Sequence, residues 1–139
     1  MDGYNFSTEI AVRFAETDSQ GIAHNANYLV WFEVARADWL RARGWTYREM
    51  EASGVKLPVI EAHCEYARPA HYDEALTIRT TAALHSPVRL EFMYAVIKED
   101  GTAAATGHTM HAAIDDTGRP CRLPERVRAV FAIEKGAPA

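Results

Sequence analysis

The sequence predicts an α+β domain in which an antiparallel sheet carries its helices on one face. Its elements occur in the order strand, long helix and four further strands, whereas a parallel sheet would need strands and helices in alternation. The dipeptide Asp100-Gly101 favours a type I′ hairpin, so the two strands that it separates should be antiparallel neighbours. A chain of 139 residues has the size of one domain, and we expect residues 1–139 to form a single unit.

The first strand is predicted over Thr8–Phe14. In this segment Ile10, Val12 and Phe14 alternate with charged or small residues, as on a strand with one buried face. Residues 15–21 are polar and turn-forming, so a loop should follow the strand.

One long helix is predicted from Asn27 to about Arg43. This segment lacks Gly and Pro and ends at Gly44, a residue that commonly closes helices. At 100° per residue four aromatic and two alanine side chains fall within a stripe about 100° wide, and the charged side chains lie outside it. The stripe should anchor the core, because burying a large side chain contributes roughly 1.5 to 3 kcal/mol. It consists of Tyr28, Trp31, Phe32, Ala35, Trp39 and Ala42.

A short helical turn is predicted over Trp45–Ser53, closed by Gly54. The next two strands are predicted over Ile60–Tyr66 and Leu76–Leu84, with the break Arg68-Pro69-Ala70 between them. Apolar residues occupy one parity of each strand, so we expect each to be half-buried.

The last two strands are predicted over Arg89–Lys98 and Thr102–Ile114, followed by a helix from Pro124 to Ala132. Placing Asp100-Gly101 at the centre of the turn fixes the register of the two strands. The predicted partners are Ala95 with Thr106 and Glu91 with Met110.

Composition excludes several classes of protein. A content of 48% apolar and 24% charged residues is typical of a globular chain and not of a disordered one. The net charge of −4 argues against binding to nucleic acid. The first ten residues do not have the pattern of a signal peptide, and no uncharged run is longer than that of residues 101–114, which is too short to span a bilayer. With only two cysteines, Cys64 and Cys121, we expect a cytoplasmic protein with no membrane partner.

Several familiar catalytic motifs are absent. Neither phosphate-binding glycine motif occurs, nor do the GxSxG and HExxH signatures of hydrolases and metalloproteases. His108 and His111 are three apart on a predicted strand and should point to opposite faces, so no metal site is expected. The cysteines have no activating context and are interpreted as small apolar residues.

The candidate site is the loop that leads into the long helix, residues 18–28. The first N–H groups of a helix lack intrahelical partners, so a helix that begins near Asn25 presents donors to a carbonyl or an anion. Asp18 lies seven residues earlier, on a loop that Gly21 allows to turn. Its carboxylate could face the same pocket as a nucleophile or as the base for a water molecule.

Structural roles for the same residues remain open at this point. Asp18 could simply form an Asx turn or cap the helix. Similarly, Asn27 could be the N-cap of the helix, and His24 could merely form a wall of the loop.

The segment RFAETDSQGIAHNANYLVWFEVAR resembles the active-site region of the hot-dog-fold acyl-CoA thioesterases of the 4-hydroxybenzoyl-CoA thioesterase type. The likeness extends from about residue 8 to 132. It implies a hot-dog fold, in which an antiparallel five-stranded sheet wraps around one long helix. Further similar positions are Tyr66, Arg68-Pro69-Ala70, Asp73-Glu74, Phe92, Tyr94, Arg119-Pro120 and Leu123-Pro124-Glu125.

The resemblance implies that Asp18 is the catalytic carboxylate and that the backbone N–H of Asn25 polarises the thioester carbonyl. It implies no metal or redox cofactor. It also implies a homodimer or a dimer of dimers, that is a homotetramer, with the pocket between subunits and residues 57–62 of a neighbour as the opposing wall. Glu33 could be the acid in a variant of this chemistry, or it could form an ion pair with Arg36 on the helix surface.

Substrate contacts are expected from both sides of this pocket. Relatives have a basic cluster after the third strand, where this chain keeps only Arg89. The phosphates of CoA could instead meet a C-terminal basic group, or that group could be a solvated face; it contains Arg119, Arg122, Arg126 and Arg128. The residues expected to contact the acyl-CoA are Gly21, His24, Tyr28, Val59, Ile60 and Arg89.

The leading hypothesis is an acyl-CoA thioesterase that hydrolyses a small aromatic or aliphatic acyl-CoA. A hot-dog acyl-CoA hydratase or lyase is an alternative, because His24 lies near Asp18 in the sequence. A non-catalytic module that binds acyl-CoA or an acyl carrier protein is a further alternative, in which Asp18 is structural.

Overall fold

Five strands and three helices make up the computed structural model, which describes the backbone of residues 3–136 and the side chains of residues 3–131. A short 3-10 turn over Phe14–Glu16 follows the first strand. The elements are β1 (Phe6–Ala11), α1 (Ala26–Ala42), α2 (Tyr47–Ala52), β2 (Val59–Tyr66), β3 (Ala75–Leu84), β4 (Arg89–Ile97), β5 (Ala103–Ala112) and α3 (Glu125–Gly136).

The strands form one antiparallel sheet in the order β1-β3-β4-β5-β2, so the α+β class is confirmed. The predicted register of β4 and β5 is confirmed, with Ala95 opposite Thr106 and Glu91 opposite Met110. The predicted type I′ turn is wrong, because it needs a positive φ at both central residues and only Gly101 has one. A one-residue register shift just before the turn offsets this difference. β3 buries the predicted parity, because it lies between two strands and under the helices. β1 and β2 are the two edges of the sheet.

Helix α1 packs its aromatic stripe on the sheet, one residue away from the predicted bounds at each end. The ring of Phe32 stacks on Tyr94 at 4.1 Å, and Trp39 contacts Phe92 edge-on. The stripe is buried except for Ala42, which is exposed where α1 ends. A Cβ at Gly107 would lie 2.3 Å from a backbone oxygen and 2.8 Å from the Phe32 ring, so only glycine allows this approach.

The first strand begins two residues earlier than predicted and ends three residues earlier. β1 ends at Ala11, opposite Ala75 at the start of β3, and the chain has no partner strand beyond that point. Val12 is still buried, but Phe14 begins the 3-10 turn and is 76% exposed. The prediction that Phe14 lies on the buried face of a strand is therefore wrong.

The prediction that β2 is half-buried is also wrong for the single chain. β2 is an edge strand, and Ile60 and Tyr66 are 47% and 48% exposed. Cys64 is the one residue of β2 that is half-buried, and it packs against the core. Alternation of apolar residues thus identified the strand but not its position at the edge.

A series of hydrogen bonds between buried polar side chains links the sheet to the loop before β2. The hydroxyl groups of Tyr94 and Thr109 share a hydrogen bond, and Thr109 also contacts Nε2 of the buried His111 at 2.9 Å. Nδ1 of His111 lies 3.0 Å from the carbonyl oxygen of Leu57. Burial lowers the pKa of His111 to about 4, so this imidazole is neutral at neutral pH.

Candidate active site

The Asp18 loop is a small hairpin between the 3-10 turn and α1. The amide of Asp18 donates to the carbonyl oxygen of Ile22 at 2.9 Å, and Thr17 pairs with Ala23 at its base. Gly21 has a φ of +79°, in the left-handed region that favours glycine, and its amide donates to the carbonyl oxygen of Asp18. Gly21 therefore closes the turn that holds Asp18.

The carboxylate of Asp18 is exposed in the single chain, and its two oxygens differ in their contacts. Oδ1 accepts from the amides of Gln20 at 2.8 Å and Ile22 at 3.3 Å, which is the Asx turn considered as the structural alternative. Oδ2 has no hydrogen-bond partner among the described residues. The loop thus orients the carboxylate and leaves one oxygen available for chemistry.

The start of α1 leaves one backbone donor without a partner. Asn25 is the N-cap, so the alternative that Asn27 caps the helix is wrong. The amide of Ala26 donates to Nδ1 of His24, and the amides of Asn27 and Tyr28 donate to the carbonyl oxygens of His24 and Asn25. Within residues 3–136, the amide of Asn25 has no hydrogen-bond partner.

Two tyrosines pack at the same helix end. The hydroxyl of Tyr66 donates to the carbonyl oxygen of Asn25 at 3.0 Å, and its ring meets that of Tyr28 edge-on at 5.0 Å. Tyr28 is buried, which raises its pKa to about 12 and keeps its phenol neutral. Tyr66 therefore holds the carbonyl group of Asn25, the N-cap residue whose amide has no partner among the described residues.

Glu16 is a buried residue of this site that the sequence analysis did not single out. Its residue surface is 4% exposed, and its carboxylate accepts from the indole N–H of Trp31 and from the backbone and side chain of Arg13. Burial alone would raise the pKa of Glu16, but these hydrogen bonds lower it overall, so the group is ionised. Glu16 follows Arg13 by three residues, which is the spacing of a local capping box and a signal that the sequence contains. Its hydrogen bond to Trp31 spans fifteen residues and corresponds to no local sequence pattern.

The remaining expected contacts lie at the other end of the sheet. Val59 pairs with His111 and Tyr66 with Ala105, so Val59 and Ile60 begin β2 roughly 23 Å from the strand end beside Asn25. Arg89 begins β4 at the same distant end. All three are exposed, and the single chain does not bring them together with Asp18.

The other charged candidates do not converge on this site. Glu33 is exposed and forms no ion pair with Arg36, so the predicted helix-surface pair is wrong. Arg36 instead lies near the hydroxyl groups of the half-buried Tyr47 and the buried Tyr94. In the C-terminal basic group, Arg126 stacks on the ring of Trp45 at 5.0 Å, which holds it in local packing.

An open cavity of about 480 Å³ lies between the β3–β4 turn and α3. It is at the opposite end of the sheet from the Asp18 loop, and its one arginine, Arg128, donates to the carbonyl oxygen of Leu123. We therefore place the candidate site at the Asp18 loop and not at this cavity. Among the described residues no group of three or more His, Cys, Asp or Glu side chains is arranged to hold a metal ion.

No helix in the described part of the chain is both long enough and apolar enough to cross a bilayer.

Comparison with known proteins identifies the family. Residues 12–131 match the model of the thioesterase-like superfamily. A putative esterase from Aquifex aeolicus is 36% identical over 86% of this chain and 92% of its own length. A putative acyl-CoA thioesterase from Bacillus subtilis, YneP, is 35% identical over 77% of this chain and 78% of its own length.

Solved structures give the same result for the fold. The DHNA-CoA thioesterase from Staphylococcus aureus superposes with a TM-score of 0.86 and 33% identity, covering 96% of this chain and 95% of that one. The arrangement of five antiparallel strands and one long helix is thus the hot-dog arrangement that the resemblance implied. This chain belongs to the thioesterase-like superfamily and has its hot-dog fold.

Proposed function

We propose that this protein hydrolyses the thioester of a small aromatic or aliphatic acyl-CoA, with Asp18 and the backbone amide of Asn25 as its catalytic groups. The observation that carries the proposal is the unpartnered amide of Asn25 at the start of a 17-residue helix, next to the loop that orients Asp18. The similarity to a putative acyl-CoA thioesterase and to a DHNA-CoA thioesterase supports this class of substrate.

The chemistry requires a donor that acts on the carbonyl oxygen. When an oxygen nucleophile adds to the thioester carbon, the carbonyl oxygen gains negative charge. The amide of Asn25 and the positive end of α1 stabilise that charge. One such donor is typically worth roughly 10² to 10³ in rate. Because the Asn25 amide has no other partner in the described part of the chain, it can take this role without breaking a hydrogen bond there.

The carboxylate of Asp18 has two possible routes to the product. In the first route Oδ2 attacks the carbonyl carbon, the C–S bond breaks, and water hydrolyses the resulting anhydride. In the second route Asp18 takes a proton from a water molecule, and the water oxygen adds to the carbon. Both routes release the carboxylic acid and the thiol of CoA. A single turnover in ¹⁸O-labelled water distinguishes them, because only the first route places label in the enzyme carboxylate.

A second subunit completes the proposed site. Asp18 is exposed in the single chain, and electrostatic catalysis is strongest where water is excluded. If β2 pairs antiparallel with β2 of a second copy, Val59 and Ile60 of one chain lie beside the Tyr66 end of the other. This pairing forms the opposing wall, and Arg89 lies at the same end to meet the phosphates of CoA. The homodimer and the dimer of dimers are both compatible with this arrangement.

The experiment that tests the proposed function is a panel of CoA thioesters with aromatic and aliphatic acyl groups, assayed for released thiol. We expect thiol release with at least one class of ester. A change in enoyl absorbance without free thiol would indicate a hydratase or lyase that uses His24, whose Nδ1 already accepts the amide of Ala26. Tight binding with no product over hours would indicate a binding module. Either of these results would overturn hydrolysis.

A further inference from the structure

We infer that Glu16 is a positioning residue for this hydrolysis, because its buried carboxylate joins the base of the Asp18 loop to α1. The inference rests on the proposed function and adds a residue to it. Glu16 lies two residues before Asp18, and its own side chain is directed into the protein and bonded there. It therefore acts through the groups that it holds in place.

The side chain of Glu16 connects two elements. Oε1 accepts the backbone amide of Arg13 at 2.8 Å, which closes the 3-10 turn. Oε2 accepts the indole N–H of Trp31 at 3.0 Å, and Trp31 lies on the buried face of α1. The guanidinium of Arg13 also donates to Oε2, at a distance of 3.2 Å. Both carboxylate oxygens are thus used, and the turn cannot shift along α1 without breaking at least one of these bonds.

The backbone of Glu16 connects the same turn to the two catalytic groups. Its carbonyl oxygen accepts the amide of His24 at 2.8 Å and the side-chain amide of Asn27 at 2.8 Å. His24 directly precedes Asn25, and the hairpin that carries Asp18 begins and ends between Glu16 and His24. The position of Asp18 relative to the amide of Asn25 consequently depends on how Glu16 is held.

Burial of this charge is not explained by apolar packing. Within one 3-10 turn the chain exposes the ring of Phe14 and buries the carboxylate of Glu16, the reverse of what hydrophobic burial favours. An apolar side chain at position 16 could fill the same space without the cost of desolvating a charge. What such a side chain could not provide is the directed hydrogen bond to Trp31. A glutamate at position 16 therefore orients the loop through a directed hydrogen bond, whereas an apolar side chain would only fill the space.

Loss of this connection should lower kcat more than it raises KM. The amide of Asn25 interacts more strongly with the oxyanion of the transition state than with the substrate, so displacing it removes transition-state stabilisation. A displacement of about 1 Å can cost as much as 10²-fold in rate. We expect Glu16→Ala and Trp31→Phe each to lower kcat about 10- to 100-fold, with KM within about threefold of the wild type. Glu16→Gln keeps one acceptor oxygen and should lose less than Glu16→Ala.

The matched control is Trp39→Phe. Trp39 is a second buried tryptophan on α1 whose indole N–H also donates a hydrogen bond, but to Asn5 at the other end of the helix. Its substitution removes the same atoms from the same helix without touching the Asp18 loop. Melting temperatures and kinetic constants of the variants would be measured together. Because Trp31→Phe and Glu16→Gln are mild changes, they provide the test even if Glu16→Ala does not fold.

The expected result is a lower kcat in the Glu16 and Trp31 variants at a temperature where all variants are folded, and a kcat near that of the wild type in Trp39→Phe. The inference is overturned if Glu16 and Trp31 variants keep the wild-type kcat, or if Trp39→Phe loses as much. A wild-type enzyme that releases no thiol overturns the proposed function and the inference together. Unchanged kcat in the Glu16 variants, in an enzyme that Asp18→Asn inactivates, overturns the inference alone.

Discussion

At Asp18, the hydrogen bonds that shape the loop and the oxygen proposed for chemistry belong to the same carboxylate. Oδ1 accepts two backbone amides, and an asparagine could accept the same bonds through its own Oδ1. The local Asx turn is therefore compatible with catalysis, because it uses only one of the two oxygens. It also makes Asp18→Asn a clean test, since the substitution should keep the loop and remove the negative charge.

We expect Asp18→Asn to lower kcat/KM by roughly 10² to 10⁴, the usual contribution of a general base, and to leave the melting temperature unchanged. The measurement is thiol release from the best ester of the panel. The control is Asp38→Asn, which also changes one aspartate to asparagine, at a surface ion pair with Arg41 on α1. Full turnover by Asp18→Asn would rule out its carboxylate as nucleophile or base.

Among the elements, α1 and β5 approach each other closely enough that one position admits no side chain. A Cβ at Gly107 would overlap a backbone oxygen of β2 and the ring of Phe32. Since Phe32 also stacks on Tyr94, it cannot move aside without disturbing the core. The position of α1 over the sheet, and with it the start of the helix at Asn25, depends on this contact.

Gly107→Ala should destabilise the protein by about 1 to 3 kcal/mol, the usual cost of overpacking, as measured by urea unfolding. Thr106→Ala is the control, because it places the same methyl side chain at the adjacent, exposed position of β5. A Gly107→Ala protein as stable as the wild type would show that the helix and the sheet can separate without cost.

For the whole molecule, the exposed apolar surface indicates which side meets another chain. Large hydrophobic residues are exposed on one face of α1 and along the β2 edge, and exposed apolar surface of this kind marks sites of contact with another chain. An unpaired edge strand is also a template for pairing with another strand. The exposed residues on these two elements are Leu29, Val30, Val34, Val59, Ile60 and Tyr66.

We expect the wild type to be a dimer or larger assembly in light scattering, and Ile60→Lys to shift it toward the monomer, because a charge on this edge opposes pairing. Thiol release should fall in parallel. Ser7→Lys places the same charge on the other edge strand, β1, and should change neither mass nor activity. A monomeric wild type with full activity would contradict the proposal that two subunits form the site.

Stability of the whole fold should depend on pH through His111. The pKa of His111 is about 4 in the folded protein, against an ordinary value of 6.5 for histidine, because burial disfavours the charged form. Between these values the unfolded chain binds a proton that the folded chain does not. The free energy of unfolding should therefore fall as the pH is lowered from 6.5 to 4, by up to about 1.4 kcal/mol per pH unit.

Urea unfolding between pH 7.5 and 4.5 measures this dependence. In His111→Gln the group no longer titrates, whereas the other histidines and all carboxyl groups remain. The difference in slope between the two proteins isolates the contribution of His111. Equal slopes would mean that the buried imidazole does not control acid stability.

Local chemistry was enough for the sequence to predict much of this protein. Period-two and 3.6-residue patterns identified the strands and α1, since each depends on neighbouring residues. Asp100-Gly101 located the turn between β4 and β5, because a glycine that can adopt positive φ marks the turn locally. The pairing of the two strands also depends on a one-residue register shift between Val96 and Ile97, which the dipeptide does not predict. The loop and the helix start were also identified from local signals, the unpaired amides of a helix and a glycine that turns the chain.

Only the tertiary structure decided which residues those elements bury and join. β2 is an edge strand because it pairs only with β5, and no pattern within β2 predicts that order of strands. Phe14 is exposed because β1 loses its partner strand at Ala11. Glu16 is buried where its carboxylate accepts the indole N–H of Trp31, fifteen residues further along the chain. Contacts between distant parts of the chain are made only when the whole core packs, so their signal is not local.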